Sequence, residues 1–132
     1  MLHVLLVEDN PADVMLVREA VRTSPVTADL MIARDGEQAL QFLTKFGFKP
    51  DCIFMDLSVP KLDGLEFLDR FHTNQGPPVI VLTGSCDPAN RQRAIDAGAK
   101  DYIVKPIDLD EFLNVVNKAL ERWDNQAAAR GV

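Results

Sequence analysis

Cys52-Ile53-Phe54-Met55-Asp56-Leu57 is the stretch whose reading decides the fold. The apolar run describes a strand buried on both faces, as in a parallel sheet covered by helices. It delivers one lone carboxylate, Asp56, and the turn chemistry of Pro60 and Gly64 follows almost at once. An aspartate at the mouth of a buried strand is costly unless something uses or neutralises its charge. Asp56 is therefore more readily explained by function than by structure.

Working outward, the chain alternates short β-like runs with helical periodicity about five times. Before the opening stretch, residues 3–7 read as a strand that Glu8, Asp9 and Asn10 end abruptly. Asn10 suits an N-cap and Pro11 the first helical position, so a helix is expected to run to about Arg22 on Val14, Val17 and Val21. A second strand, residues 29–33, leads to Asp35, which forms a capping box pattern with Gln38. The next helix is expected to bury Ala39, Phe42, Leu43 and Phe46 and to stop at Gly47.

Beyond the third strand, residues 51–55, a third helix carries Leu65, Leu68 and Phe71 and fades near Asn74-Gln75-Gly76. Pro77-Pro78 introduces strand four, residues 79–82. The helical segment 87–97 has little to bury beyond Ala94, Ile95 and Ala97, so it and the loop before it are expected to be the most mobile ordered part of the chain. Strand five is residues 101–104. The last helix, capped by Asp108 with Glu111 behind it, has the clearest stripe: Leu109, Phe112, Leu113, Val116, Leu120 and Trp123. One domain spanning residues 1–123 is expected, with residues 124–132 as a frayed tail.

Bulk properties exclude several classes. A chain of 132 residues with 47% hydrophobic content suits one domain with a real core. Its formal net charge of −6 repels phosphate backbones and anionic membranes, so neither nucleic acid nor a membrane is expected as a direct partner. No apolar run approaches the roughly 20 residues of a membrane helix, and the start lacks a basic signal region, which reads as cytoplasmic. Cys52 and Cys86 make neither a disulfide framework nor a zinc site.

The expected fold is α/β and flavodoxin-like, a five-stranded parallel sheet of order 2-1-3-4-5 with five helices on both faces. Open sheets of this kind bind ligands beyond the carboxyl ends of their strands, where the strand order reverses. Glu8, Asp9 and Asp56 then converge at the switch point, with Thr83 ending strand four and Lys105 ending strand five. Taken singly, Glu8 and Asp9 also suit a helix N-terminus, Thr83-Gly84 a turn, Tyr102 a half-buried strand position and Lys105 an ordinary surface. Five such positions on one rim outweigh those separate readings.

Val7-Glu8-Asp9-Asn10, Met55-Asp56-Leu57-Ser58-Val59-Pro60 with Asp63-Gly64, Val81-Leu82-Thr83-Gly84 and Asp101-Tyr102-Ile103-Val104-Lys105-Pro106 together resemble the receiver domain of two-component response regulators. The resemblance covers about residues 2–122. It implies that Asp56 takes a phosphoryl group from a phosphohistidine on a sensor histidine kinase or a histidine phosphotransfer protein. Glu8, Asp9, Asp56 and the backbone carbonyl of Ser58 would hold Mg²⁺ or Mn²⁺. Lys105 would pair with Asp56 or with a phosphate oxygen, its bond to Pro106 being cis. Thr83 and Tyr102 would form the switch, while Ser58 and Ser85 would tune phosphate lifetime. The fourth helix, fifth strand and fifth helix would signal to a downstream protein or form a homodimer. Such a protein assists its own phosphorylation and dephosphorylation without being an enzyme on another substrate. It either acts alone or belongs to a longer chain; the Asn10-Pro11-Ala12-Asp13 and Arg34-Asp35-Gly36 stretches are similar to stand-alone receivers serving phytochrome-type kinases.

Glu8-Asp9 replaces the more frequent pair of aspartates, which favours contact between Glu8 and the metal through a water. Gly84, smaller than the usual residue after the threonine, should loosen the following loop. Two other functions share parts of this pattern. A Mg²⁺-dependent aspartate-nucleophile phosphohydrolase needs a second aspartate two residues after the nucleophile, where this chain has Ser58. A flavodoxin-like electron carrier needs a phosphate-binding loop after strand one, where Glu8-Asp9-Asn10-Pro11 would repel phosphate.

Overall fold

Strands and helices alternate throughout the computed structural model, which describes residues 1–71 and 76–130. The strands are β1 (Leu2–Val7), β2 (Ala28–Ala33), β3 (Cys52–Met55), β4 (Val79–Thr83) and β5 (Asp101–Val104). The helices are α1 (Pro11–Thr23), α2 (Gly36–Thr44), α3 (Gly64–Phe71), α4 (Pro88–Asp96) and α5 (Leu109–Arg130). Every strand pairing is parallel, in the expected order β2-β1-β3-β4-β5. Val7 of β1 lies opposite Met55 of β3, so Glu8 and Asp56 leave the sheet side by side.

Burial follows position in the sheet. All of β3 and β4 is buried, whereas edge strand β2 alternates half-buried and exposed residues up to Ala33. Two apolar clusters flank the sheet. On one face Leu6, Phe54 and Ile80 meet Val14 and Val17 of α1 and Phe112, Val116 and Leu120 of α5. On the other, Leu5, Ile53, Met55 and Val81 meet Ala39 of α2, Phe67 and Leu68 of α3 and Ala94 of α4. Successive residues of one strand thus serve opposite cores, which is why the central strands read as unbroken apolar runs.

Local signals start α1, α2, α4 and α5 where the sequence places them. Asn10, Asp35 and Asp87 accept the backbone N–H of Ala12, Gln38 and Ala89 at 2.9, 2.8 and 2.9 Å, and Asp108 accepts that of Glu111 at 2.9 Å. Each satisfies a donor that the first helical turn leaves unpaired. The Gln38 side chain reaches back to the Arg34 N–H at 2.7 Å, one residue before the cap it was expected to serve. Gly47 adopts a left-handed φ of 67°, which lets Phe48 N–H return to the Phe42 carbonyl at 2.8 Å.

Other expectations need correction. Phe46 is 67% exposed, because α2 ends at Thr44 and the chain leaves the helical period before reaching it; its ring rests on Phe42 instead. Ala20 and Phe67 occupy core positions, while Val21 and Leu65 are only half-buried. Leu109 is exposed at the first position of α5. The segment expected to fray continues α5 to Arg130, helped by the helix propensity of its alanines and by the packing of Ala127 on the core. The expected fading of α3 falls partly on Asn74 and Gln75, which lie outside the described residues; the helix is described through Phe71.

The loop between β3 and α3 is seated by two glycines. A Cβ on Gly36 would lie 2.0 Å from the Leu62 carbonyl oxygen, and one on Gly64 would lie 2.7 to 3.0 Å from Leu57 and the Asp56 carbonyl. Gly84, by contrast, faces open space. Gly36→Ala should therefore cost about 1–3 kcal/mol in urea unfolding despite the better helix propensity of alanine. Gly84→Ala should change stability by less than about 0.5 kcal/mol. Equal midpoints for Gly36→Ala and wild type would contradict this seating of the loop.

Candidate functional site

The rim at the carboxyl ends of the strands is assembled by extending the sheet ladder. Asp56 N–H donates to the Val7 carbonyl at 3.1 Å, and Glu8 N–H to that of Ala33 at 3.0 Å. Lys105 N–H donates to the Thr83 carbonyl at 2.7 Å. Glu8, Asp56 and Lys105 are thus each the next residue of a strand whose backbone is already fixed. Among the described residues, Glu8, Asp56 and Thr83 are the buried polar residues, at 2%, 7% and 0% exposure.

One ammonium gathers the site. Lys105 Nζ donates to Glu8 Oε1 at 2.6 Å, to Asp13 Oδ2 at 2.8 Å and to Asp56 Oδ2 at 2.9 Å. The second oxygen of Asp56 accepts the Ser58 N–H at 3.1 Å, and that of Glu8 accepts the Asn10 N–H at 3.3 Å. Asp9 and Ser58 are exposed at the mouth. The expected cis bond before Pro106 is absent: among the described residues no peptide bond is cis. The trans form is the easier one by about 0.5–1 kcal/mol. Three carboxylates and the Thr83 carbonyl suffice to aim the lysine.

Desolvation raises the pKa of Glu8 from 4.5 to about 7; the Asp56 charge adds to it, while the Lys105 hydrogen bond opposes it. Desolvation acts upward on Asp56 too, but hydrogen bonds from Lys105, the Ser58 N–H and the Thr83 hydroxyl outweigh it, and the group lies below its ordinary 3.8. For Lys105, burial opposes the charged form, yet Asp13, Glu8 and Asp56 together raise its pKa. Asp56 is thus held toward its anionic form, while burial pushes Glu8 toward protonation.

The donor set is all oxygen and net negative, which suits a hard divalent cation. Among the described residues no three such side chains converge in a metal-ligating arrangement. Glu8 and Asp56 are instead closed on the ammonium.

Tyr102, on β5, has its ring buried at 5% exposure and donates its hydroxyl to the Ser85 carbonyl at 2.9 Å. The Arg91 guanidinium of α4 lies 6.0 Å from the ring centroid. Ser85 N–H reaches Thr83 Oγ1 at 3.4 Å, and its hydroxyl accepts from Asn90 Nδ2 at 3.0 Å. Thr83, Ser85, Tyr102 and α4 thus form one connected set. Asp13 is the site residue that sequence reasoning missed. It stands third in α1, where an acidic side chain is already explained by the helix dipole.

A family model for the response regulator receiver domain matches residues 4–117. The chain belongs to this family. Receiver domains act in two-component signalling, and the parallel sheet of order β2-β1-β3-β4-β5 is the fold the resemblance implies. Response regulator Rcp1 of Synechocystis is 34% identical over 128 residues, covering 91% of this chain and 87% of that protein. Response regulator MprA of Mycobacterium leprae is 34% identical over 134 residues, covering 99% of this chain and 56% of that protein. The chain spans about half the length of MprA and of the ycf27 regulator of Porphyridium aerugineum. Among solved receiver structures, the phosphorylated cyanobacterial phytochrome response regulator RcpA superposes with a TM-score of 0.85 at 32% identity, over 92% of this chain and 93% of that one. The Mn²⁺-bound form of Rcp1 superposes with a TM-score of 0.84 at 32% identity, over 93% and 94%.

The raised pKa of Glu8 in this receiver has a definite sign. Its protonated form fits the fold best, so its contribution is fully present below pH 4.5 and is lost as pH rises through about 7. That of Asp56 runs the other way: it is present above 3.8 and lost as pH falls through the lower folded value. In metal-free protein, the melting temperature of wild type relative to Glu8→Gln should therefore drop by a few degrees between pH 5 and pH 8. A difference that stays flat over this range in thermal unfolding with chelator present would contradict it.

Proposed function

We propose that the protein accepts a phosphoryl group on Asp56 from a sensor histidine kinase or a histidine phosphotransfer protein in the cytoplasm, and passes the signal on through α4, β5 and α5. The observation that carries this reading is the buried Asp56 carboxylate, held ionised and in contact with Lys105 at 2.9 Å. In the transfer, an Asp56 oxygen forms the new O–P bond as the N–P bond of the phosphohistidine breaks. The electron pair of that bond leaves with the imidazole. Asp56 supplies the nucleophile, Lys105 supplies positive charge for a phosphoryl oxygen, and Thr83 supplies a hydroxyl donor.

Glu8, Asp9, Asp56 and the Ser58 carbonyl would hold Mg²⁺ or Mn²⁺; such a cation, when bound, neutralises charge on the transferring phosphoryl oxygens. Exposed Asp9, beside the switch point, suits direct contact. Glu8, whose oxygens are taken by Lys105 and the Asn10 N–H, suits contact through a water.

After transfer, Thr83 would turn its hydroxyl to the phosphate and loosen its contact with Ser85. Tyr102, already buried and bonded to the Ser85 carbonyl, would follow that loop. α4 is suited to respond, because Ala94 is its one buried residue. Ser58 and Ser85, small and two positions beyond Asp56 and Thr83, would leave a path for water and thereby set the phosphate lifetime, so that the protein assists its own dephosphorylation. Output through the α4, β5 and α5 face would reach a downstream protein or a second copy.

Incubation with acetyl phosphate and Mg²⁺, read by intact mass, should give a single phosphoryl adduct on wild type and none on Asp56→Asn or with chelator. An adduct that survives Asp56→Asn, or none on wild type, would remove the proposal.

A further inference from the structure

The ammonium of Lys105 has three N–H donors, and each has its own carboxylate within 2.6 to 2.9 Å. Two of these carboxylates, Glu8 and Asp56, follow adjacent strands and move only with the sheet. The third, Asp13, comes from α1, whose buried face is packed against β1 and α5. Without it the ammonium would rest on two points, about which a flexible four-carbon stem can swing. With it the charge is fixed in three directions. Asp13 is also the most exposed of the three, with a side chain 24% accessible against 3% for Glu8 and 10% for Asp56. Its bond to the lysine is therefore the one that water most readily replaces.

We propose that Asp13 is a positioning residue of the phosphoryl-accepting site, holding the Lys105 ammonium beside Asp56 from the α1 side and so setting the rate at which Asp56 is phosphorylated. This rests on the receiver function proposed above. With acetyl phosphate as donor, an Asp56 oxygen bonds to phosphorus while the acetyl P–O bond breaks and its electron pair leaves with acetate. Lys105 gives up no proton. It contributes charge at one place, and Asp13 determines that place. Asp13→Asn keeps the size of the side chain but removes the charge that anchors the ammonium. Asp13→Glu keeps the charge on a longer arm.

The test is the rate of adduct formation with acetyl phosphate and Mg²⁺, followed by intact mass for wild type, Asp13→Asn, Asp13→Glu, Lys105→Met and Asp13→Asn/Lys105→Met. Asp13→Asn should slow the reaction about tenfold and Asp13→Glu less than about threefold. In the Lys105→Met background Asp13→Asn should add less than about twofold, because its route of action is gone. If Lys105→Met is too slow to time, the Asp13→Asn and Asp13→Glu comparison decides. Asp13→Asn at the wild-type rate would overturn the assignment. So would equal slowing by Asp13→Asn and Asp13→Glu, or an undiminished tenfold effect in the Lys105→Met background. A wild-type protein that takes no phosphoryl group would instead remove the receiver function on which the assignment rests.

Discussion

A single half-buried ammonium shared by three carboxylates is the constraint around which this receiver is arranged. Lys105 follows β5, Asp56 follows β3, Glu8 follows β1 and Asp13 lies in the first turn of α1. The β1–α1 segment, β3 and β5, distant from one another in sequence, can meet at one nitrogen only if the strand order brings β1 and β3 together and the crossovers carry β5 to the same rim. The parallel topology does this by placing every strand's carboxyl end on one side. The ion cluster is therefore a consequence of the sheet, and it is also a demand on the sheet. Misregister of β5 by one residue would reverse which face each of its side chains meets.

The same cluster accounts for the balance of charge in the site. Three carboxylates against one ammonium leave an excess of negative charge in a place with little water. Burial then divides the group: Glu8 is pushed up to about 7, while Asp56, with donors on both oxygens, is held down. Their opposite shifts follow from unequal hydrogen bonding. Asp56 receives the lysine, a backbone N–H and a hydroxyl; Glu8 receives the lysine and one long backbone contact. Such an excess of negative charge suits a further cation, which would supply the positive charge that the single ammonium lacks.

Most of the fold was legible because its signals are local. The apolar runs at β1, β3 and β4, the caps at Asn10, Asp35, Asp87 and Asp108 and the left-handed Gly47 each act through neighbours in sequence. The strand order, together with the resemblance, then placed Glu8, Asp56, Thr83 and Lys105 on one rim. What escaped was tertiary. Phe46 continues the helical period that α2 itself abandons. Ala20 and Phe67 are buried by the faces their helices turn inward, which small shifts in helix phase decide. The segment after Trp123 shows no stripe, yet it remains helical because Ala127 finds a core to pack on. Asp13 was hidden by adequacy: an acid in the first turn of a helix needs no further explanation until its partner, remote in sequence, is seen.

The rim also explains how an event at Asp56 can be felt elsewhere. A new charge shifts a conformation only to the extent that it interacts differently with two arrangements. On the β1 side the groups that meet Asp56 are strand-borne or tied to α1, and they have little freedom. On the β4 side, Thr83 is joined to Ser85, Ser85 to Asn90 of α4 and to Tyr102, and Tyr102 faces Arg91 of the same helix. α4 has one fully buried residue, Ala94, and a Cβ added at the preceding Gly84 would meet only open space. Under the function proposed above, strain introduced at Asp56 would meet resistance through β1 and compliance through Thr83. The direction of signal flow would then follow from this asymmetry of packing: the tightly held half of the rim would act as an anchor, and the loosely held half would carry the change to the surface.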